Sequence, residues 1–289
     1  VEYAAVETLD EAIGLLVEAG DDARAMAGGT DLLAQVHTGS IVPSRVVDLK
    51  GIPELSRIDS DAEGYRIGAA VCGAEISEHA ALARDWPGVV EAATLIGSTQ
   101  VQSRASLGGN LCNASPAADS VPALIAAGAS CSIVGPGGRR ELAVEDVLKG
   151  PGETRLERGE IVAYIRLPRP APGSGDAYLR LIPRSEMDIA IAGAAVALGL
   201  DQEGLCSTCR VAIGAVAPTA LIVPGAAEVL VGRPVTESAL AELADAVRRA
   251  SDPIDDMRAT RDYRIHVVGV LAQRAARLAL ARADGRERS

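Results

Sequence analysis

No phenylalanine occurs anywhere in the chain, and only one tryptophan stands among its 289 residues. Aromatic residues make up 2% of the total, so the core must be built from Val, Leu, Ile and Ala. Any flat ligand then has to be held mostly by aliphatic walls and backbone. A positive surplus is also missing. The net charge of −11 argues against nucleic acid, whose phosphates need a basic face. A phosphate-bearing ligand would rest on N–H dipoles more than on Lys or Arg. Long apolar runs are absent as well. The longest charge-free stretches follow Asp188 and Arg210; the first is short and the second is broken by Pro218 and Pro224, so no membrane span is expected. The opening residues VEYAAVETLDEAIGLL carry acids and lack a basic n-region, so no signal peptide is expected. Five cysteines, an odd number scattered at 72, 112, 131, 206 and 209, form no disulfide framework. A reducing cytoplasm is the expected compartment.

What is present is an ordinary globular pattern, 48% hydrophobic and 23% charged. Thr8 followed three residues on by Glu11 predicts a capping box, and Gly20 ends the helix it opens. ARAMAGGTDLLAQV begins as a short apolar strand, breaks at Gly28-Gly29 and resumes with Leu32, Leu33 and Val36. Further strands are expected over SRVVDLK, around Tyr65, Ile67 and Ala69, and over GEIVAYIRLP. Helices are expected near Glu75 and from Pro87 towards Gly97. ASCSIVGPGGRRELAVEDVL predicts a hairpin turning at Gly135–Gly138 and then a short helix. RPAPGSGDA, residues 169 to 177, is the linker candidate by its Pro, Gly and Ser density. Beyond it lie two strands joined near Gln202-Glu203-Gly204, then two helices. One opens at Thr236 or Glu237 and ends in basic residues, as the helix dipole favours; the other carries a long apolar stripe. No internal repeat is visible. Strands and helices interleave but hairpins are frequent, which favours an α+β fold over a doubly wound sheet.

Two glycine loops, AGGTDLL and SLGGNLCNASPAADS, share a design. Each sets Gly-Gly beside apolar residues, where glycine permits positive φ and close approach to the backbone. Consecutive N–H groups in such loops form anion-binding nests. Each loop taken alone is weak evidence and reads more readily as a plain tight turn. Thr30, Ser106 and Asn110 add short hydrogen-bonding side chains. After the second loop, Asp119 or Ser120 can cap a helix with Pro122 in its first turn. Neither loop is a Walker loop and neither matches GxGxxG.

The pair of loops, in this order and spacing, resembles the FAD-binding medium subunit of the molybdenum hydroxylases. This family includes xanthine, carbon monoxide and N-heterocycle dehydrogenases. The resemblance extends over IGSTQVQSRASLGGNLCNASPAADSVPAL, RSEMDIAIAGAAVAL, RVAIGAVAPTA and DYRIHVVGVLAQRA, nearly the whole chain. It implies a two-lobed FAD-binding domain of the vanillyl-alcohol-oxidase (PCMH-like) type over 1–173, with lobes about 1–55 and 56–173. A smaller C-terminal α+β domain of the CO dehydrogenase flavoprotein type would follow over 177–289. It implies non-covalent FAD held at the pyrophosphate by Ala27, Gly28, Gly29, Thr30, Asp31 and Leu32. Ser106, Leu107, Gly108, Gly109 and Asn110 would bind through backbone amides and the Asn side chain. Ile96 and Val162 would line the wall, and Asp119, otherwise readable as merely an N-cap, would by the motif match accept from flavin hydroxyls. Arg180 stands where many relatives carry a Lys near the flavin, a change that keeps the charge and alters the shape.

The resemblance also implies partners: a small subunit with [2Fe–2S] clusters and a large subunit with molybdopterin, assembled as a dimer of heterotrimers. Electrons would pass from the clusters to FAD and on to NAD or another acceptor. The substrate would be hydroxylated on the large subunit, so no catalytic acid or base and no metal ligand is expected in this chain. Gly-Gly-Thr-Asp in the first loop, where carbon monoxide enzymes typically have Gly-Gly-His-Ser, favours the xanthine and heterocycle branches. A flavin-free assembly subunit and a stand-alone flavin oxidase are the rival readings. Cys206-Ser-Thr-Cys209 lacks a second CxxC and is expected to be structural or incidental. Cys112 is expected to pack, Trp86 to anchor a helix start, and His37, His79 and His266 to have surface or packing roles and not to ligate a metal; neither His37 nor His79 sits in a covalent flavin-attachment motif.

Overall fold

The structure is a computed structural model that describes residues 1–285; the last four residues of the expected C-terminal domain, 286–289, lie outside them. Thr8 caps the helix Leu9–Ala19 by accepting from the Glu11 N–H. The reciprocal half of the expected capping box is displaced by one residue, because the Glu11 carboxylate accepts from the Glu7 N–H instead. Gly20 ends the helix at φ 68°. This helix packs on a three-stranded parallel sheet ordered Glu2–Ala5, Arg45–Asp48, Ala23–Met26. Val6, Ala12, Leu16, Val47 and Leu55 fill the first core.

The second lobe is an antiparallel five-stranded sheet in the order Ile58–Asp61, Gly64–Gly68, Ile161–Pro168, Ser130–Gly135, Gly138–Ala143. Its central strand, Ile161–Pro168, arrives from far along the sequence. Alternate residues Ile161 and Ala163 of this strand reach back into the first core, so one strand serves both lobes. Small helices cover the sheet. Three of them, Ala80–Asp85, Thr99–Gln102 and Leu107–Cys112, are not evident in the sequence pattern. The last converts most of the second glycine loop into a turn and a half of helix capped by Ser106. In the first loop the apolar run after Gly28-Gly29 also resumes as a helix, Leu32–His37, and not as a strand. Leu32, Leu33 and Val36 have helical spacing, and the run contains helix-forming Leu, Ala and Gln.

The chain leaves the five-stranded sheet at Pro168 and enters a four-stranded antiparallel sheet at Ser174. The order there is Ser174–Leu181, Ala192–Leu200, Cys206–Gly214, Leu221–Ile222. Helices Glu237–Ala250 and Arg261–Ala283 form a layer whose longer member lies on the sheet. Helix Ser120–Ala126 of the second lobe packs on the same sheet, and every one of its residues is buried. Cover from both sides explains why Ala192–Leu200 is nearly apolar throughout and does not alternate. The fold is thus α+β, with the two N-terminal lobes and the C-terminal unit joined through the core around Leu124, Tyr178 and Ala195. Among the described residues, no helix is long and apolar enough to cross a membrane.

Candidate functional site

The two glycine loops meet. A Cβ on Gly28 would lie 1.8 Å from the Arg104 carbonyl oxygen, so only glycine permits the first loop to touch the chain leading into the second. Gly29 follows with φ +75°, a left-handed turn that reverses the backbone. Leu33 N–H then returns to the Gly29 carbonyl at 2.9 Å and starts the short helix. Among the described residues, the N–H groups of Gly28, Gly29, Thr30 and Asp31 have no protein acceptor. Four consecutive amides without partners are costly unless water or a ligand satisfies them.

Across from them, Ser106 Oγ accepts from Gly109 N–H at 3.1 Å and fixes the start of helix Leu107–Cys112. Apart from that oxygen, a Cβ on Gly109 would meet nothing, so its Cα faces open space. Asn110 Oδ1 accepts from both the N–H and the hydroxyl of Ser120, at 3.2 and 2.7 Å. Its amide nitrogen has no protein acceptor among the described residues. Gln35 Nε2 donates to Asn113 Oδ1 at 3.2 Å and ties the two loop helices together.

Together these segments enclose a cleft of about 310 Å³. Of the residues singled out in the sequence, Ala27 to Leu32, Ile96, Ser106, Gly109 and Asn110 line it. Leu107 and Val162 turn instead into the core of the second lobe. Gly108 is glycine for packing, because its Cβ would sit 2.5 Å from that of Ala69. Gln35, Ile41, Cys112, Asn113 and Gly152 line the cleft without having been anticipated as ligand contacts. Gly152 lies in the turn between strands Leu148–Gly150 and Glu153–Thr154 and is held by its N–H to the Ala114 carbonyl. Its forty-residue separation from the second loop leaves no local trace. Burial pushes the Cys112 thiol up to about 12, so it presents a neutral thiol and not a nucleophile.

Asp119 and Arg180 are not among the residues that line this cleft. Arg180 donates to Asp119 Oδ2 at 2.5 Å and the Tyr178 hydroxyl donates to Oδ1 at 3.1 Å. Asp119 makes no side-chain cap to the helix it precedes. Its carboxylate crosses to the C-terminal sheet instead of folding back on its own N–H groups. Burial raises its pKa to about 6 against the opposing influence of Arg180 and Tyr178. None of the three histidines lines the cleft. His79 Nδ1 accepts from Leu82 N–H, and its ring meets Tyr65 edge-on.

A dinucleotide pyrophosphate needs N–H donors and bare Cα positions. The unpartnered amides of 28–31, the open face of Gly109 and the free Asn110 amide supply both.

Comparison with known proteins agrees with this chemistry. The family of FAD binding domains in molybdopterin dehydrogenases matches residues 1–170, and the CO dehydrogenase flavoprotein C-terminal domain matches residues 177–279. The carbon monoxide dehydrogenase medium chain of Hydrogenophaga pseudoflava is 34% identical over 281 residues, covering 97% of each chain. The xanthine dehydrogenase FAD-binding subunit of Escherichia coli O157:H7 is 31% identical over 286 residues, covering 98% of this chain and 97% of that one. A solved structure of the Hydrogenophaga pseudoflava carbon monoxide dehydrogenase superposes with a TM-score of 0.93 at 34% identity, covering 97% of each chain.

Proposed function

The chain belongs to the FAD-binding medium subunits of the molybdenum hydroxylase dehydrogenases, and from that premise we propose that it carries electrons between an iron–sulfur partner and a diffusible acceptor. The observation that carries this is the set of four unpartnered amides at Gly28–Asp31 facing the capped second loop. In this reading Ala27 to Leu32 hold the pyrophosphate. Ser106, Gly109 and Asn110 hold the cofactor from the opposite side, and Leu107 and Gly108 contribute backbone N–H groups. Ile96 forms the apolar wall, backed by Val162. Asp119 retains lone pairs for flavin hydroxyls beyond its bonds to Tyr178 and Arg180. Arg180, paired with Asp119, gives the flavin end a fixed positive group whose charge is largely offset. Bound FAD would supply reversible two-electron and one-electron chemistry that no side chain has.

The partners in this reading are a small subunit with [2Fe–2S] clusters and a large subunit with molybdopterin, in a dimer of heterotrimers in the cytoplasm. NAD or another diffusible acceptor takes the electrons from the flavin. Substrate hydroxylation belongs to the large subunit. The absence of histidine from the cleft supports a non-covalent flavin, which acid precipitation should release entirely into the supernatant. Identities of 34% to a carbon monoxide enzyme and 31% to a xanthine enzyme do not separate the branches. The Gly-Gly-Thr-Asp loop is the feature that favours xanthine or a heterocycle.

The test is reconstitution. The purified chain should show flavin absorption, be reduced by dithionite and be reoxidised by an acceptor. Its flavin should bleach on substrate addition only when the small and large subunits are present. A colourless chain that cannot be loaded with FAD would favour the flavin-free assembly subunit. Substrate-driven bleaching of the chain alone would favour a stand-alone oxidase.

A further inference from the structure

Lys50 lies just past the strand Arg45–Asp48, at the end of the parallel sheet nearest the first glycine loop. Its ammonium donates to both oxygens of Asp48 at 2.7 Å and to the Ala27 carbonyl at 3.1 Å. Asp48 is 7% exposed and also accepts from the Lys50 N–H and from the Tyr3 hydroxyl, at 3.0 and 2.5 Å. Burial opposes ionisation there, yet these bonds hold the carboxyl below its ordinary value. The ammonium is therefore held on a fixed anion and aimed at one backbone oxygen. Ala27 is the residue from which the glycine loop departs.

The peptide joining Ala27 to Gly28 is planar and trans, so its N–H points away from its carbonyl. A carbonyl drawn towards Lys50 sends the Gly28 N–H the other way. That N–H is the first of the four unpartnered amides. Without the ammonium, this peptide plane could turn and direct the Ala27 oxygen, an acceptor, at an incoming phosphate.

We propose that Lys50, seated on Asp48, is a positioning residue for the dinucleotide pyrophosphate, acting through the Ala27–Gly28 peptide and not by direct ionic contact. The proposal rests on the reading of the glycine cleft as the FAD site. The ammonium charge is offset by Asp48 at 2.7 Å, so the pair presents little net charge to a phosphate. Orientation of the amide is what remains for it to supply.

The experiment titrates the full-length apoprotein with FAD by flavin fluorescence and records phosphorus NMR of the bound pyrophosphate at saturation. Lys50→Met should weaken FAD binding by about tenfold or more, the loss expected for one charge-assisted hydrogen bond. The bound phosphorus resonances should move as the Gly28 amide loses its orientation. Lys50→Arg should restore both readouts to near wild type. Tyr3→Phe, which loosens Asp48 without touching Ala27, should lose much less affinity. Should Lys50→Met fail to fold, Lys50→Gln is read by the same two criteria. Wild-type affinity in the Lys50 variant overturns the proposal. So does weaker binding with unchanged phosphorus resonances, because the loss then lies away from the pyrophosphate. Gly109→Val separates the two failures. If it binds FAD normally, the cleft reading itself is wrong. If it loses FAD while Lys50→Met does not, only the role of Lys50 falls.

Discussion

Three glycines in the two loops do different work, and substitutions should separate them. A valine at Gly109 would project into the cleft, since only Ser106 Oγ stands within 4 Å of its Cβ. Gly109→Val is therefore expected to fold with a melting temperature near wild type and to lose FAD. A folded variant with full flavin occupancy would remove Gly109 from the site. Gly28→Val meets the Arg104 carbonyl at 1.8 Å and cannot be accommodated without parting the loops. It should yield insoluble or strongly destabilised protein by solubility and thermal melting. Gly108 belongs with Gly28, because its neighbour is Ala69 and not the cleft. All three glycines look alike in the sequence. The Gly-Gly signature marks where backbones come close, but whether the close neighbour is a ligand or another part of the chain depends on contacts as distant in sequence as Gly28 and Arg104. Asp119 shows the same limit. A residue before a helix has the identity of a cap, and its true partners, Tyr178 and Arg180, lie on a strand sixty residues on.

Among the elements, strand Cys206–Gly214 carries the CxxC pair. In a regular strand residues three apart face opposite sides. Here a bulge sets Thr208 opposite Gly199 and Cys206 opposite Leu200, leaving Ser207 unpaired. The two thiols meet as a result, and the hydrogen bond that Cys209 donates to the Cys206 sulfur, with burial, pushes the Cys209 thiol well up. Neither sulfur lines the glycine cleft. Replacing both with serine should leave the flavin-to-protein ratio near wild type and cost roughly 1–2 kcal/mol in denaturant melts, from putting a hydroxyl where Cys206 is buried. A flavin ratio below half would revive a redox or metal role for the pair. Long elements with a clear apolar period were legible beforehand, as was the hairpin at Gly135–Gly138. Short helices such as Leu107–Cys112 and Thr99–Gln102 were not. Pieces of four to six residues, rich in Gly and polar residues, have too little periodicity to declare themselves and are held by tertiary contacts.

For the whole molecule, the joint between the two units has a titratable centre. Asp176 is buried at the start of the C-terminal sheet, and its Oδ2 accepts from Val89 N–H at 3.1 Å, in helix Pro87–Thr94 of the second lobe. Its other oxygen has no hydrogen-bond partner among the described residues. Burial raises its pKa from 3.8 to about 7, against the backbone bonds and Arg282 that favour the anion. Between those two values the native chain binds a proton that the unfolded chain has lost. Stability attributable to this group therefore falls as pH rises from about 4 to about 7 and is level above that. Asp176→Asn cannot ionise. Its melting temperature should gain on wild type steadily across that window, measured by thermal melts from pH 4 to 8. Parallel curves would show that Asp176 titrates normally.

What the sequence determined by itself was whatever is written in contiguous residues. The α+β class follows from alternating strand and helix periods, the acidic net charge from composition, and the family from two Gly-Gly segments with their neighbours. These depend on local conformational preference, which a short segment carries wherever it is placed. Only the tertiary structure decided which amides stay unpartnered, that Gly152 lines the cleft, that Arg180 is spent on Asp119, and that Lys50 donates to the Ala27 carbonyl. Each of these needs side-chain directions set by packing between segments distant in sequence. No local preference encodes them, because the free energy that selects them exists only when the sheets and helices are assembled.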